Sequence, residues 1–313
     1  MRISDIQIRD PFVVQEDGVY YLFGSTDKNI WKGAGAGFDV YVSAGGTVPE
    51  SLARFEGPFP VFRPSANFWS VTNFWAPEVH RHNGFYFMFA TFKPRQGRRG
   101  TAILKSSSGI MGPYEPWSQN AAGEPGPVTP AEWECLDGTF FTEQGKPYMV
   151  FCHEWQQVKD GEINLIPLTG DLRQASVFPD GTREPRLLFR ASEAPWAHEL
   201  QGRAPGSYVT DGPFMHRTQK GALLMLWSSF GKTGSYNIGT ALSQDGTLRG
   251  PWTPSDKPLY SADGGHGMIF RGREGTLYLA IHRPNKTPFE RPVFIPVTEE
   301  GKTLVLHEGN VIS

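Results

Sequence analysis

One pattern occurs five times along the 313-residue chain, and it limits the fold more than any other feature. The segments are RDPFVVQEDGVYYLFGST from Arg9, APEVHRHNGFYFMFATF from Ala76, LDGTFFTEQGKPYMVFCHE from Leu136, TDGPFMHRTQKGALLMLWSSF from Thr210 and GGHGMIFRGREGTLYLAIHR from Gly264. Each opens on a small or acidic residue and a short apolar run. Each then turns at a glycine (Gly18, Gly84, Gly145, Gly221, Gly275) and continues into alternating aromatic and aliphatic residues. That is the pattern of a β-hairpin. The glycines stand 66, 61, 76 and 54 residues apart, which suits a fixed hairpin joined by outer loops of variable length.

A third strand, a turn and a Gly-Pro-aromatic step follow the second and fourth units in TAILKSSSGIMGPYEPW and IGTALSQDGTLRGPWTP, with looser copies after the first and third. Three or four strands per unit, repeated five times without helical periodicity, predict an all-β five-bladed β-propeller. Only TVPESLARF offers a short helix. No linker interrupts the repeats, so residues 1–313 read as a single propeller domain. A β-sandwich with hairpins alike by chance is the competing architecture. Composition agrees with the turn-rich reading: Gly 36 and Pro 26 make near a fifth of the chain, against about 12% in ordinary proteins.

The formal charge is −2 without a basic block, which gives no electrostatic footprint for nucleic acid or an anionic membrane. No apolar run approaches the roughly 18 residues of a membrane span. The first residues, MRISDIQIRDPF, lack the apolar core of a secretory leader, so a cytoplasmic location is expected. Cys135 and Cys152 are too few for a four-cysteine zinc site and read as packed thiols.

In a propeller the first strand of each blade lines the central channel. The unit starts carry Asp10, Asp137 and Asp211, with Ala76-Pro77-Glu78 and His266 in the other two. Asp10 and Asp137 each precede their turn glycine by 8 residues. Asp211 precedes its own by 10, and a turn two residues longer would bring it into register with them. An aspartate beside Gly or Pro is often a turn former. Three of them converging on one channel would raise one another's pKa, a cost expected at functional sites rather than structural ones. Carboxylates in unequal environments are what glycosidic cleavage needs: one ionised, one holding a proton for the leaving oxygen. Nearby aromatics could stack on sugars, Trp75 and Trp155 foremost. Glu154, Asn285, Arg283 and Arg291 are further candidates for the pocket wall. The Arg95-Gln96-Gly97-Arg98-Arg99 stretch reads as a solvated basic turn, and Gly33–Gly37 as a loop without the signature of a phosphate site.

Taken in order, Arg9-Asp10-Pro11, Trp75-Ala76-Pro77-Glu78, Leu136-Asp137, Asp211-Gly212-Pro213 and Gly265-His266-Gly267 resemble glycoside hydrolase family 43, the arabinanase, β-xylosidase and α-L-arabinofuranosidase group. The resemblance covers essentially the full length. It implies inverting hydrolysis of α-L-arabinofuranosyl or β-D-xylosyl linkages in oligosaccharides, with galactosyl and galactofuranosyl activities in some branches. It implies Asp10 as general base, Asp137 as the carboxylate that tunes and orients the acid, and Asp211 as general acid. In an inverting pair the base and acid carboxyls stand about 6.5–9.5 Å apart. The family's acid is normally a glutamate, so Asp211 is one methylene short, and Glu199 is the alternative donor. Trp75, Glu78, Trp155, Glu199, Arg283 and Arg291 are the expected substrate-binding residues. No cofactor is expected for the chemistry; the resemblance implies a structural calcium in the channel, held by His266 through water. Two other functions compete: a carbohydrate-binding propeller without hydrolysis, motivated by Asp211, and a retaining fructan-type hydrolase with Glu134 before Cys135 as acid.

Overall fold

The computed structural model describes residues 1–313 apart from 29 and 47. It is built from five antiparallel four-stranded sheets, each made from consecutive strands. The first blade holds β1 Arg9–Glu16, β2 Val19–Ser25, β3 Phe38–Ser43 and β4 Phe55–Phe62. The second holds β5 Ser70–His82, β6 Phe85–Pro94, β7 Gly100–Ser106 and β8 Glu115–Pro116. The third holds β9 Cys135–Glu143, β10 Lys146–His153, β11 Glu162–Pro167 and β12 Arg186–Arg190. The fourth holds β13 Asp211–Arg217, β14 Leu223–Phe230, β15 Tyr236–Ser243 and β16 Trp252–Pro254. The fifth holds β17 Gly265–Arg271, β18 Leu277–Arg283, β19 Arg291–Glu300 and β20 Thr303–Leu306. First strands touch in a closed circuit, β1 to β5, β5 to β9, β9 to β13, β13 to β17 and β17 to β1. The molecule is a five-bladed β-propeller.

The expected short helix is α1, Glu50–Ala53; a second, α2 at Trp155–Val158, was not expected. Among the described residues no helix is long and apolar enough to cross a membrane. Cys135 and Cys152 are free, buried thiols. Apolar packing lies between the blades, with Phe23, Phe38, Phe74, Phe92 and Trp227 among the large side chains wholly removed from water.

The hairpin turns explain the repeat spacing. In the first three blades the turn is two residues, both with positive φ: Asp17-Gly18, Asn83-Gly84 and Gln144-Gly145. Right-handed strand twist selects that geometry, and a glycine at its second position adopts it without strain. In the fourth and fifth blades strand pairing ends at Arg217↔Leu223 and Arg271↔Leu277, leaving longer turns.

Candidate active site

Every first strand carries an irregularity in its pairing at which one residue takes a left-handed conformation. The five are Asp10 (φ 52°), Ala76 (46°), Asp137 (56°), Gly212 (50°) and His266 (51°). Such bulges re-aim side chains near sites, and a non-glycine residue held there is strained. The residue just before each pairs with the second strand: Arg9↔Ser25, Trp75↔Thr91, Leu136↔Cys152, Asp211↔Ser228 and Gly265↔His282. Asp211 therefore stands where Arg9 and Leu136 stand, one residue ahead of Asp10 and Asp137. The expected register is corrected by one: Gly212, not Asp211, is the equivalent of Asp10.

A further regularity ties the blades together. The amide of the left-handed residue donates to a side chain on the second strand of the preceding blade. Ala76 donates to Ser25 Oγ at 2.8 Å, Asp137 to Thr91 Oγ1 at 2.9 Å, His266 to Ser228 Oγ at 2.9 Å and Asp10 to His282 Nδ1 at 3.2 Å. The fifth tie differs, because Cys152 fills its acceptor position. There the Gly212 amide donates to Asp137 Oδ2 at 3.0 Å.

The three aspartates and His266 line one cavity of about 570 Å³, together with Arg9, Trp75, Glu154, Trp155 and Tyr236 among others. His266 Nδ1 lies 3.2 Å from Asp10 Oδ1 and 3.6 Å from Asp137 Oδ2. Burial works against the imidazolium, but Asp10 and Asp137 outweigh it and push its pKa up to about 9. Burial likewise opposes the Asp10 carboxylate, but the His266 cation, its hydrogen bond and Arg9 hold Asp10 well below the usual carboxylate range. Ser25 Oγ donates to Asp10 Oδ2 at 2.6 Å. His282 accepts the Asp10 amide at Nδ1 and is kept neutral, its pKa lowered to about 3 by burial and Arg9.

Asp211 experiences the opposite field. Burial and then the neighbouring Asp137 push it up to about 7, although Tyr236 donates its hydroxyl to Oδ2 at 2.9 Å. Burial pushes Asp137 up to about 6, with His266 pulling it down and Asp10 up. One cavity thus holds a carboxylate that stays ionised and a carboxyl that keeps its proton near neutrality.

Aromatic rings form the mouth. Trp75 is held by its indole N–H to Ile30 O at 2.6 Å and meets Trp31 edge-on at 5.4 Å. Trp31 is 52% exposed, and Arg9 lies 5.1 Å from its ring centroid. Trp155 and Phe230 also face the cavity, whereas Phe74 is buried core.

The chain matches glycosyl hydrolases family 43 over residues 3–299. It aligns with an endo-arabinase structure from Bacteroides thetaiotaomicron VPI-5482 at 35% identity and a TM-score of 0.83, covering 97% of this chain and 99% of that one. The chain belongs to glycosyl hydrolase family 43. An α-L-arabinofuranosidase structure from Lactobacillus brevis shares the fold at 18% identity and a TM-score of 0.70, covering 98% of this chain and 97% of that one. A probable arabinan endo-1,5-alpha-L-arabinosidase A from Aspergillus clavatus is 22% identical over 159 residues, which take in 50% of this chain and 45% of the fungal protein. The chain thus spans less than half the length of that curated relative.

Four expected wall residues of this family 43 chain stand away from the cavity lining. Glu78 is buried along β5 and bonds His80 Nε2 at 2.8 Å. Glu199 is exposed on its loop beside Tyr208, next to the cavity-lining Leu200. Arg283 reaches Tyr260 Oη at 3.1 Å, and Arg291 donates to Ser4 O at 2.9 Å. The two arginines are taken up by nearer acceptors, Tyr260 and Ser4. Family membership also displaces the fructan reading, whose acid Glu134 is bound by Arg99 Nε at 3.0 Å.

Sequence reasoning missed Tyr236 and Arg99. Arg99 belongs to no solvated turn: it is buried against Glu134, Glu154 and the face of Trp75. The expected calcium is left with one imidazole whose Nδ1 faces two carboxylates that hold it cationic. Calcium takes six to eight oxygens, and the described residues include no group of three or more His, Cys, Asp or Glu able to hold a metal. These side chains do not by themselves make a direct calcium site; His266 would take part only through water, as the resemblance implies.

Proposed function

We propose that this family 43 protein hydrolyses α-L-arabinofuranosyl linkages of arabinan-type oligosaccharides with inversion, residues 1–313 acting as one catalytic propeller domain. The observation that carries the reading is the placing of Asp10 and Asp211 around one cavity in opposed surroundings, Asp10 3.2 Å from His266 Nδ1 and Asp211 buried beside Asp137. Asp10, ionised, takes a proton from a water as that water attacks the anomeric carbon. Asp211, neutral, gives its proton to the departing glycosidic oxygen. Asp137 holds Asp211 protonated by its nearby charge and is itself fixed by the Gly212 amide. Both protons re-equilibrate with solvent after the products leave. Such a division of labour between two carboxyls is what single displacement at a sugar requires. Trp75, Trp155 and Trp31 supply apolar faces for the sugar rings.

The arabinan preference over a xylan one is supported by the 35% identity to a protein titled an endo-arabinase. The test is incubation with α-1,5-arabinotriose, β-1,4-xylotriose and a panel of nitrophenyl glycosides, with the anomer of the first product read by proton NMR. Arabinotriose cleavage giving the inverted anomer is the expected result. Xylotriose cleavage alone moves the specificity, a retained anomer ends the single-displacement mechanism, and binding without release of reducing sugar assigns a carbohydrate-binding role instead.

A further inference from the structure

Glu154 follows β10 as the residue preceding α2, is buried, and faces the cavity without a part in the chemistry above. Its surroundings pose a question of charge balance. Arg99 brings one positive charge and meets two carboxylates. Glu134 accepts from Arg99 Nε at 3.0 Å and from the Arg99 amide at 3.2 Å, and Arg98 Nη1 stands 3.6 Å away. Glu154 accepts only from Arg99 Nη2, at 2.8 Å, through Oε2. Its other oxygen, Oε1, receives no protein hydrogen bond among the described residues. The other charged groups facing Glu154 are Asp137 and Asp211, from β9 and β13, both acidic. Arg98 is half-exposed and faces only Glu134, so among the described residues the buried Arg99 is the one cation bonded to Glu154, and it is shared with Glu134. An anion at Glu154 would stand beside Asp137 with that single hydrogen bond to offset its burial.

We propose that Glu154 faces the substrate as a neutral carboxylic acid and positions it by donating a hydrogen bond from its uncommitted oxygen to a sugar hydroxyl. The inference rests on the reading of the cavity as a sugar site. The pKa direction agrees: burial, opposed by Arg99 and reinforced by Asp211, pushes the carboxyl up to about 7. An amide reproduces a neutral acid's donor, and alanine does not, which separates this role from that of an anion.

The first experiment needs no substrate. Protein carrying carbon-13 glutamate carboxyls is titrated by NMR, with Glu154→Gln identifying the resonance. It is expected to change ionisation near neutrality; a resonance already ionised near pH 5 overturns the proposal. The second measures arabinotriose affinity by calorimetry near pH 6 in the Asp10→Asn background, where the sugar stays intact. Glu154→Gln is expected to stay within about threefold of its parent, and Glu154→Ala to weaken binding about 10-fold. Raising the pH to about 8 should weaken the parent more than the glutamine variant. Equal losses in the Gln and Ala variants overturn the donor role, as does absence of arabinotriose binding. Failure of the unmodified enzyme to cleave arabinotriose overturns the hydrolytic reading while leaving the titration and affinity results to judge Glu154.

Discussion

The Gly212 amide donates to Asp137 Oδ2 at 3.0 Å, a bond available because the thiol of Cys152 stands where the other blades present Ser, Thr or His. The backbone that carries Asp211 is thereby fastened to the carboxylate that raises Asp211's pKa. A repeat-wide structural tie has become a link between two candidate catalytic groups.

Cys152→Ser tests that link. A serine hydroxyl is a better acceptor and should draw the Gly212 amide away, as Ser25 and Ser228 do for Ala76 and His266. Asp137 then loses a donor that favours its ionised form, carries less charge, and repels Asp211 less. The expected outcome is an alkaline limb of kcat/KM displaced to lower pH, with little change in Tm. An unmoved limb would show that the thiol is mere packing.

Asp10→Asn removes the proposed base while keeping the side-chain shape. General-base loss costs about 100- to 10,000-fold. Hydrolysis of arabinotriose should fall by that order while circular dichroism retains the native spectrum. More than a tenth of the activity surviving would assign water activation elsewhere.

The proposed acid predicts both a leaving-group effect and a pH limb. Asp211→Asn should cost about 100-fold or more on arabinotriose, but much less on dinitrophenyl arabinofuranoside, whose leaving group needs no proton. In the unmodified protein, kcat/KM should decline as pH rises through about 7, where Asp211 loses its proton. Asp10 is held ionised far below that, so the acidic limb should lie below the ordinary carboxylate range. Tyr236→Phe removes a donor that favours the Asp211 carboxylate, and should shift the alkaline limb upward.

Crowded acids should also register in stability. The folded pKa of Asp211 is about 7, above its ordinary value of 3.8. The folded state therefore holds this proton more firmly, and the stability it contributes is complete below the unfolded value and lost as pH rises through about 7. Asparagine has no such proton to lose. Scanning calorimetry should find Asp211→Asn gaining in Tm on the parent between about pH 4 and pH 7, at about 1.5 °C per kcal/mol. A constant difference across that range would remove the charge conflict from the account.

Gly212→Ala attacks the geometry directly. At φ 50° an L side chain is strained, and an added Cβ would lie 2.7 Å from His266 Cγ. A loss of about 1–3 kcal/mol is expected, measured by urea unfolding, with His266 displaced from Asp10. Ala76→Gly at the equivalent place of the second blade should be tolerated.

The propeller was legible because hairpin turn chemistry is local: each turn glycine announces itself within its own unit. Asp10 and Asp137 were legible for the same reason, standing at a constant distance from two-residue turns. Asp211 was found at the cavity, but its register was misread, because its distance from Gly221 combines a different strand position with a longer turn. Arg99 was read as solvated since its partners Glu134 and Glu154 lie 35 and 55 residues further on, across a blade boundary. Tyr236 is a third-strand residue whose hydroxyl reaches Asp211 across the second strand of its own blade, a contact that no local pattern announces. Arg283 and Arg291 point away from the cavity because their direction at a strand end is set by acceptors from other segments, and Glu78 because it bonds His80 on its own strand.

The tie between Asp10 and His282 crosses the seam at which the last blade meets the first. Its geometry exists only once the circle is complete, and it orients the very residue assigned to activate water. A chain lacking its fifth blade could fold four hairpins and still have no seated base, so hydrolytic competence should arrive in one step with ring closure rather than accumulate blade by blade.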